Sequence, residues 1–586
     1  MTQQRQKILV IGEDTRSFLS VIRSLGQAGY IVDVVCYDQC SPSLKSRYIR
    51  NSYILNYQAY TSEQWLEGLI ELAQLELYQA IVPSDERAIF PLHQNKKRFP
   101  SDTVLAIPNE EVINHLFDKF RTKNLAEKEG IAHVAGRLIN LQTASYQQLQ
   151  AEFGEKFVIK PTLSFKFDVL SIRHKVVIVE SEAAYLAWRH YSDLTDEYLV
   201  ESYFFGVGEG LSLLAIEGKV LTYFAHQRVN EPRTGGGSSY RKSIKIDQDI
   251  AEACAKLCRA TNYTGVGMFE FKKNYQTGQW ILIEVNARFW GSLPLAIYAG
   301  VNFPAIYIDA ILNKNRDAHQ LFTSTQLAQN HYKLDVYARS LINDIFDIKK
   351  EFEFNLVNSS KTTTILDLAS RLLSFRRILF GKECIDSYQS SDTAPFKTEV
   401  LHFYQSTLVP KLPWRKKPKK NKLMANLLEC LQYRTNPSIK IICYGNIMRS
   451  PFAHNYLKKI CNKRNLTWII ESYGFHQKEE RKCPIECVKI GLEMGVDLSL
   501  HRSKWFRQEH ISDEDIIFIF DDLNREKINK YYRCKNVFNL ADFIPSDLGN
   551  FKNIKDPYGR GEKEVKTCYL LIAAALDNIT KQLTNY

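Results

Sequence analysis

Residues 438–452 read SIKIICYGNIMRSPF. The apolar run IKIIC predicts a buried strand, and it delivers Cys443 into a C-x5-R loop that closes with Arg449, Ser450 and Pro451, where a helix is predicted to begin. Strand, tight loop and helix in that order constrain the fold to an α/β unit, and they also constrain the chemistry. Successive loop N–H groups point inward at an anion, and the helix N-terminus adds partial positive charge. Arg449 forks onto two phosphate oxygens. The same field favours the thiolate of Cys443, the form that attacks phosphorus. Nucleophile, clamp and a phosphate-monoester substrate are therefore implied together. The motif occupies only the last quarter of the chain.

At 586 residues the chain has room for several domains. Apolar content of 45% and charged content of 24% are those of folded protein. MTQQRQ is polar and KILVIG is too short for a signal core, so no secretory leader is expected. No apolar run is long enough for a membrane span. The twelve cysteines show no CxxC, which disfavours a disulfide framework and a zinc site. A cytoplasmic location is the simplest expectation. The formal charge of +12 brings nucleic acid to mind, but much of the excess sits in WRKKPKKNK at 414–422, a solvated linker in composition. No nucleic-acid partner is expected; weak peripheral contact of 414–422 with an anionic membrane is the alternative use of that tract.

The predicted fold class is α/β and α+β, multidomain. KILVI (7–11), IVDVVCY (31–37), AIVPS (80–84) and TVLAI (103–107) read as strands, with a helix over 15–28, giving a small Rossmann-like parallel sheet. GEDTRS follows the first strand in place of GxGxxG, so dinucleotide binding is not supported. Further strands are predicted at KFVIKP (156–161), EYLVESYF (197–204), LSLLAIEGKVLTYFA (211–225), VGMFEFKK (266–273) and QWILIEVNARF (279–289), while 330–435 is less legible apart from the helical RLLSFRRILF. Expected boundaries are 1–115, 116–330, 331–435 for a helical extension with the basic linker, and 436–586 for a doubly wound parallel-sheet domain. No internal repeat is visible.

Glu284 and Asn286 lie two apart on one predicted strand, with Glu270 on a neighbour. Two carboxylates and an amide oxygen are hard ligands suited to Mg²⁺ on nucleotide phosphates. Arg288 follows on the same face, and Lys160 ends the apolar FVIK. Taken with DKFRTKNLAEKEGIAHV (118–134), VIKP, LVESYFFGVGEG, FEFK and IEVNARFWGSLPLA, the array over residues 7–315 resembles the ATP-grasp superfamily, in particular its carbamoyl-phosphate-synthase-like and carboxylate–amine ligase members. The resemblance implies ATP as substrate and Mg²⁺ (or Mn²⁺) held by Glu270, Glu284 and Asn286. It implies Lys160 on phosphate, Glu201 on adenine, Glu209 on ribose, Arg288 at the transferred phosphoryl, and Lys119 on the nucleotide side. One departure stands out: the loop expected to cover the phosphates reads TLSFKFDVLSIRH, without glycine, and Lys166 is its candidate for reaching inward. TGGGSS (234–239) reads as a mobile hairpin tip or a border of the acceptor side, with Arg228 and Arg233 as candidate carboxylate anchors.

The last domain resembles the low-molecular-weight protein tyrosine phosphatases. Besides CYGNIMRSP, the resemblance includes ESYGF (471–475), GVDLSLHRSKW (495–505), IIFIFDDLN (516–524) and KDPYGRGEKEVKTCYLLIAAALDNI (555–579). It implies Cys443 as nucleophile, Arg449 as clamp and Asp556 as general acid and then base. Asn446 and Ser450 would support the loop, with Ser472 and His501 behind them and Tyr558 beside the leaving group. Met448 stands where many relatives place a second, protective cysteine. The two resemblances together imply a bifunctional enzyme acting on a small-molecule carboxylate and an amine (or thiol), through an acylphosphate, and on a phosphomonoester, with a phosphotyrosine protein as one expected partner. A nucleotide-sensing, catalytically degenerate ATP-grasp module governing the phosphatase is the alternative. Arsenate reduction is weaker, since Cys568 alone lies near the C-terminus.

Overall fold

The computed structural model describes residues 5–165, 170–191, 196–231, 237–313, 332–408, 420–432 and 436–583. The chain forms two compact units. One holds residues up to Cys36, Ser41–Ile54 and Leu66–Ser406; the other holds Tyr37–Cys40, Leu55–Trp65 and Thr407 onward.

In the first unit a five-stranded parallel sheet has the order β3-β2-β1-β4-β5, with β1 Lys7–Gly12, β2 Ile31–Cys36, β3 Ile49–Ile54, β4 Ala80–Pro83 and β5 Val104–Leu105. Ile8, Leu9, Val10 and Ile11 are wholly buried, each worth about 1.5–3 kcal/mol of apolar burial. Helix α1, Ser17–Gln27, packs against it, its first N–H groups capped by Asp14. Strand β3 escaped the sequence reading because its sequence, IRNSYI, is mostly exposed and polar.

A small antiparallel sheet follows, β6 Gly136–Asn140, β9 Glu197–Ser202, β7 Phe157–Pro161 and β8 Val177–Val179 in spatial order. A seven-stranded sheet then runs β14-β13-β10-β11-β12-β15-β16. Its members are β10 Val207–Ile216, β11 Lys219–Asn230, β12 Tyr240–Ser243, β13 Gly265–Lys273, β14 Trp280–Asn286, β15 Tyr337–Arg339 and β16 Glu383–Ile385. The run 211–225 is a hairpin rather than one strand: Glu217 (φ 50°) and Gly218 (φ 76°) form a two-residue left-handed turn, and Ile216 pairs with Lys219.

The 332–408 extension completes this sheet. Arg339, fully buried, donates to Glu383 at 2.6 Å, pairs with Asp344 and stacks on Tyr240. Removing one member of such a group strands a charge in the core, which is strongly destabilising. Three-residue strands carry too little periodicity to be seen in sequence.

The second unit carries a parallel sheet in the order β18-β17-β19-β20: β17 Ser438–Cys443, β18 Ile469–Gly474, β19 Ile516–Ile519 and β20 Asn536–Asn539. Among its helices are α2, Arg449–Arg464, which starts at the motif's arginine, and α3, Glu562–Leu583. Among the described residues no single helix is long and apolar enough to cross a membrane.

Candidate active sites

The C-x5-R loop is held before any ligand arrives. Cys443, 3% exposed, ends β17, and its Sγ lies 3.0 Å from Ser450 Oγ. The Asn446 N–H donates to that Sγ at 3.2 Å. Asn446 sits at φ 53°, a left-handed conformation that costs about 1–2 kcal/mol outside glycine. Its side chain compensates: Nδ2 donates to Ser450 Oγ (2.9 Å) and Ser472 Oγ (3.1 Å), and Oδ1 accepts the Lys504 N–H (2.8 Å). His501 Nε2 lies 2.8 Å from the Asn446 carbonyl. Ser472 is presented by β18, opposite Ile441.

Arg449, 1% exposed, forks between two carboxylates. Nη1 donates to Asp521 Oδ2 at 2.5 Å and to the Ile554 carbonyl at 3.0 Å, while Nη2 donates to Asp556 Oδ2 at 2.5 Å. Burial works against its charge, but Asp556, Cys443 and Asp521 outweigh it and hold the guanidinium more firmly protonated than usual. Tyr558 (54% exposed) stands at the rim, as does Tyr444 (42%). Every expected residue of this site is thus gathered around one loop. Two were missed. Asp521 orients the clamp and caps the next helix through Asn524 N–H; its signal was the DDLN that ends the β19 run. His454, one turn into α2, sits 3.3 Å from Ser472 Oγ, and burial followed by the charge of Lys458 pushes its imidazole down to about 4.

The other constellation lies in the first unit. Glu270 and Glu284 are direct cross-strand partners on β13 and β14. Both accept from the Asn286 amide nitrogen, at 3.1 and 3.3 Å, so two carboxylates converge on one point. Turning that amide over would present a third oxygen there, giving a donor set that fits Mg²⁺ or Mn²⁺. Arg288 Nη2 donates to Asn286 Oδ1 at 2.8 Å and lies 3.6 Å from Glu86, a residue the sequence did not single out. Lys119 donates to Ser164 Oγ at 3.1 Å, and Lys160 pairs with Glu201 at 2.5 Å, both nearly buried. Burial works to raise the Glu284 carboxyl, yet Lys119, Lys160 and Arg228 hold it below its ordinary value. Glu270 goes the other way: burial raises it, and its ion pair with Arg228 only partly restores the charge.

Arg228 is therefore engaged with a carboxylate of the constellation itself. Arg233, Lys166, the glycines at 235 and 236 and residues 414–419 of the basic tract lie outside the described residues. Glu209 is adjacent to Gly210, which pairs with Glu270, so alternation turns Glu209 to the face opposite Glu270, where the Tyr275 hydroxyl donates to it. The cavity lined by Lys119, Ser164, Glu284, Asn286 and Arg288 measures about 20 Å³, room for roughly one water.

Residues 438–586 match the family described as low molecular weight phosphotyrosine protein phosphatase, and residues 197–332 match that described as ATP-grasp in the biosynthetic pathway with Ter operon. A low molecular weight protein-tyrosine-phosphatase of Acinetobacter johnsonii is 27% identical over 152 residues, 25% of this chain and 97% of the relative. A Klebsiella pneumoniae protein described as a low molecular weight protein-tyrosine-phosphatase is 24% identical over 138 residues, 23% of this chain and 89% of its own length. Among solved structures, Rhizobium etli pyruvate carboxylase matches with a TM-score of 0.45 at 18% identity, over 57% of this chain and 32% of that one, so the chain spans about a third of that carboxylase. The chain is an enzyme whose residues 438–586 match the low molecular weight phosphotyrosine protein phosphatase family and whose residues 197–332 match an ATP-grasp family.

Proposed function

We propose that residues 436–586 hydrolyse phosphate monoesters through a cysteinyl phosphate, and that residues 1–115 and 116–330 use ATP to couple a carboxylate to an amine, with 331–435 as an extension and linker. The observation that carries the first half is the Asn446-held loop, with the Arg449 fork beside Cys443 and Asp556 at its rim. Cys443 Sγ attacks phosphorus and the ester P–O bond breaks. The proton reaches the leaving oxygen from Asp556, which then takes one from the water that cleaves the S–P bond. Arg449 and the 444–449 amides hold the phosphoryl oxygens, and Tyr558 flanks an aromatic leaving group, which favours a phosphotyrosine substrate. Loss of p-nitrophenyl phosphate hydrolysis in Cys443→Ser tests this.

In the ligase half, Glu270, Glu284 and Asn286 hold Mg²⁺ or Mn²⁺, which when bound offsets the charge of the nucleotide phosphates. Lys119, Lys160 and Arg288 meet phosphate oxygens, and Glu201 lies on the adenine side. Phosphoryl transfer to the carboxylate gives an acylphosphate that the amine displaces. The convergence of both carboxylates on Asn286 supports this reading. The narrow cavity and the glycine-free cover favour a second one, a nucleotide sensor without turnover. ADP release across carboxylates crossed with amines, in Cys443→Ser protein, separates them: turnover lost in Glu284→Ala establishes the ligase, and nucleotide binding without turnover establishes the sensor.

A further inference from the structure

Arg16 closes the GEDTRS loop at the C-terminal end of β1, and neither half of the proposed function uses it. Its guanidinium faces Gly291. A Cβ on that glycine would lie 3.1 Å from Cζ, 3.2 Å from Nη1 and 3.4 Å from Nη2. Near-equal distances to three atoms mean that the flat face of the fork covers Gly291, which any side chain there would displace. Nη1 also lies 3.9 Å from the corresponding Cβ position of Gly237, the last glycine of the TGGGSS tract. Gly237 and Gly291 thus both border this arginine. Gly291 stands three residues past Arg288 and five past Asn286, so Arg16 borders the end of the carboxylate strand.

Among the described residues the Arg16 side chain closes no ion pair and donates no hydrogen bond; its backbone N–H donates to Asp14. Arg16 is partly buried, and its fork is uncommitted. An acidic neighbour of this loop is Glu399, which accepts from Thr15 Oγ1 at 3.1 Å and from Ser387; burial raises its carboxyl, and these two hydrogen bonds and the Arg16 charge oppose the rise. The crevice outside the carboxyl ends of parallel strands is where open α/β sheets take small ligands. An uncommitted guanidinium fits a carboxylate, and a neighbouring carboxylate fits an ammonium.

We propose that Arg16 binds the carboxylate and Glu399 the ammonium of the amine acceptor, so that the acceptor is an amino acid or a similar amino-carboxylate. The acceptor's role rests on the ligase reading above; the binding site does not.

The test uses the full-length Cys443→Ser protein with Mg²⁺ and a non-hydrolysable ATP analogue. Thermal-shift and calorimetric titrations compare the common amino acids with their decarboxylated amines. At least one amino acid should bind while its amine does not. Arg16→Met should weaken that binding roughly tenfold or more, the loss of a charge-assisted contact, and leave the nucleotide affinity unchanged. Glu399→Gln should weaken it while sparing nucleotide. Absence of amino-acid binding in the parent protein, equal binding of the amines, or unaltered binding by Arg16→Met overturns the proposal. ADP release supported by amines without a carboxylate would overturn it and leave the ligase standing; no ADP release with any pair, alongside Arg16-dependent binding, would remove the ligase and keep the site.

Discussion

Arg449 Nη2 donates to Asp556 Oδ2 at 2.5 Å, so the clamp and the proposed acid of the phosphatase are already in contact. A phosphoryl group entering the loop competes with Asp556 for that nitrogen. Displaced from the pair, the carboxyl faces the leaving oxygen. Asp556→Ala should slow phenyl phosphate, whose leaving group needs a proton, by about 10²–10⁴ and slow p-nitrophenyl phosphate far less. Equal losses in kcat/KM on both esters would remove the general-acid assignment; kcat also carries the shared hydrolysis step in which Asp556 acts as base.

The Arg228–Glu270 pair governs proposed metal affinity through protonation. Burial raises the Glu270 carboxyl and Arg228 opposes that rise, so Arg228→Met should raise it further. The anionic form is then lost at higher pH. Calorimetric titration with Mn²⁺ should show a larger weakening at pH 6 than at pH 8; a uniform weakening would place the arginine's role elsewhere.

His454 makes a stability prediction with a definite sign. Its folded imidazole titrates at about 4, below its ordinary 6.5, through burial and then the charges of Lys458, His501 and Lys504, with Glu471 opposing. Between those values the unfolded chain binds the proton and the folded one does not. The folded state therefore has its full stability above pH 6.5 and loses it as pH falls toward 4. His454→Gln should flatten the fall in melting temperature across that window, after comparison with the parent protein removes the parallel contributions of His476, His501 and His510.

Met448, 3% exposed, follows Ile447 in the loop and supplies no thiol. Peroxide should carry Cys443 past the sulfenic stage, and dithiothreitol should recover little activity. Met448→Cys should restore recovery; full recovery of the parent enzyme would show that another thiol resolves the sulfenic acid.

The phosphatase site was legible because its function is compressed into contiguous residues: loop, cysteine and arginine lie within seven positions. The carboxylate constellation was legible for a different reason, the two-residue repeat of a strand, which places Glu284 and Asn286 together from spacing alone. The repeat alone does not relate separate strands: only cross-strand register says that Glu209 faces away from Glu270. Asp521, His454 and Glu86 reach their sites from separate elements, and pairing between distant elements leaves no periodic trace. The 332–408 segment was opaque because its strands are short and its organising groups, Arg339 with Asp344 and Glu383, are charged residues in a core.

Asn446 is engaged through its amide N–H, carbonyl, Oδ1 and Nδ2 in the unliganded loop. Such a loop has little disorder left to lose when an oxyanion arrives. Vanadate or phosphate should consequently associate fast, with a small heat-capacity change and with amide exchange rates at 444–449 already slow before binding. Affinity there would be set by charge and fit rather than by folding on contact.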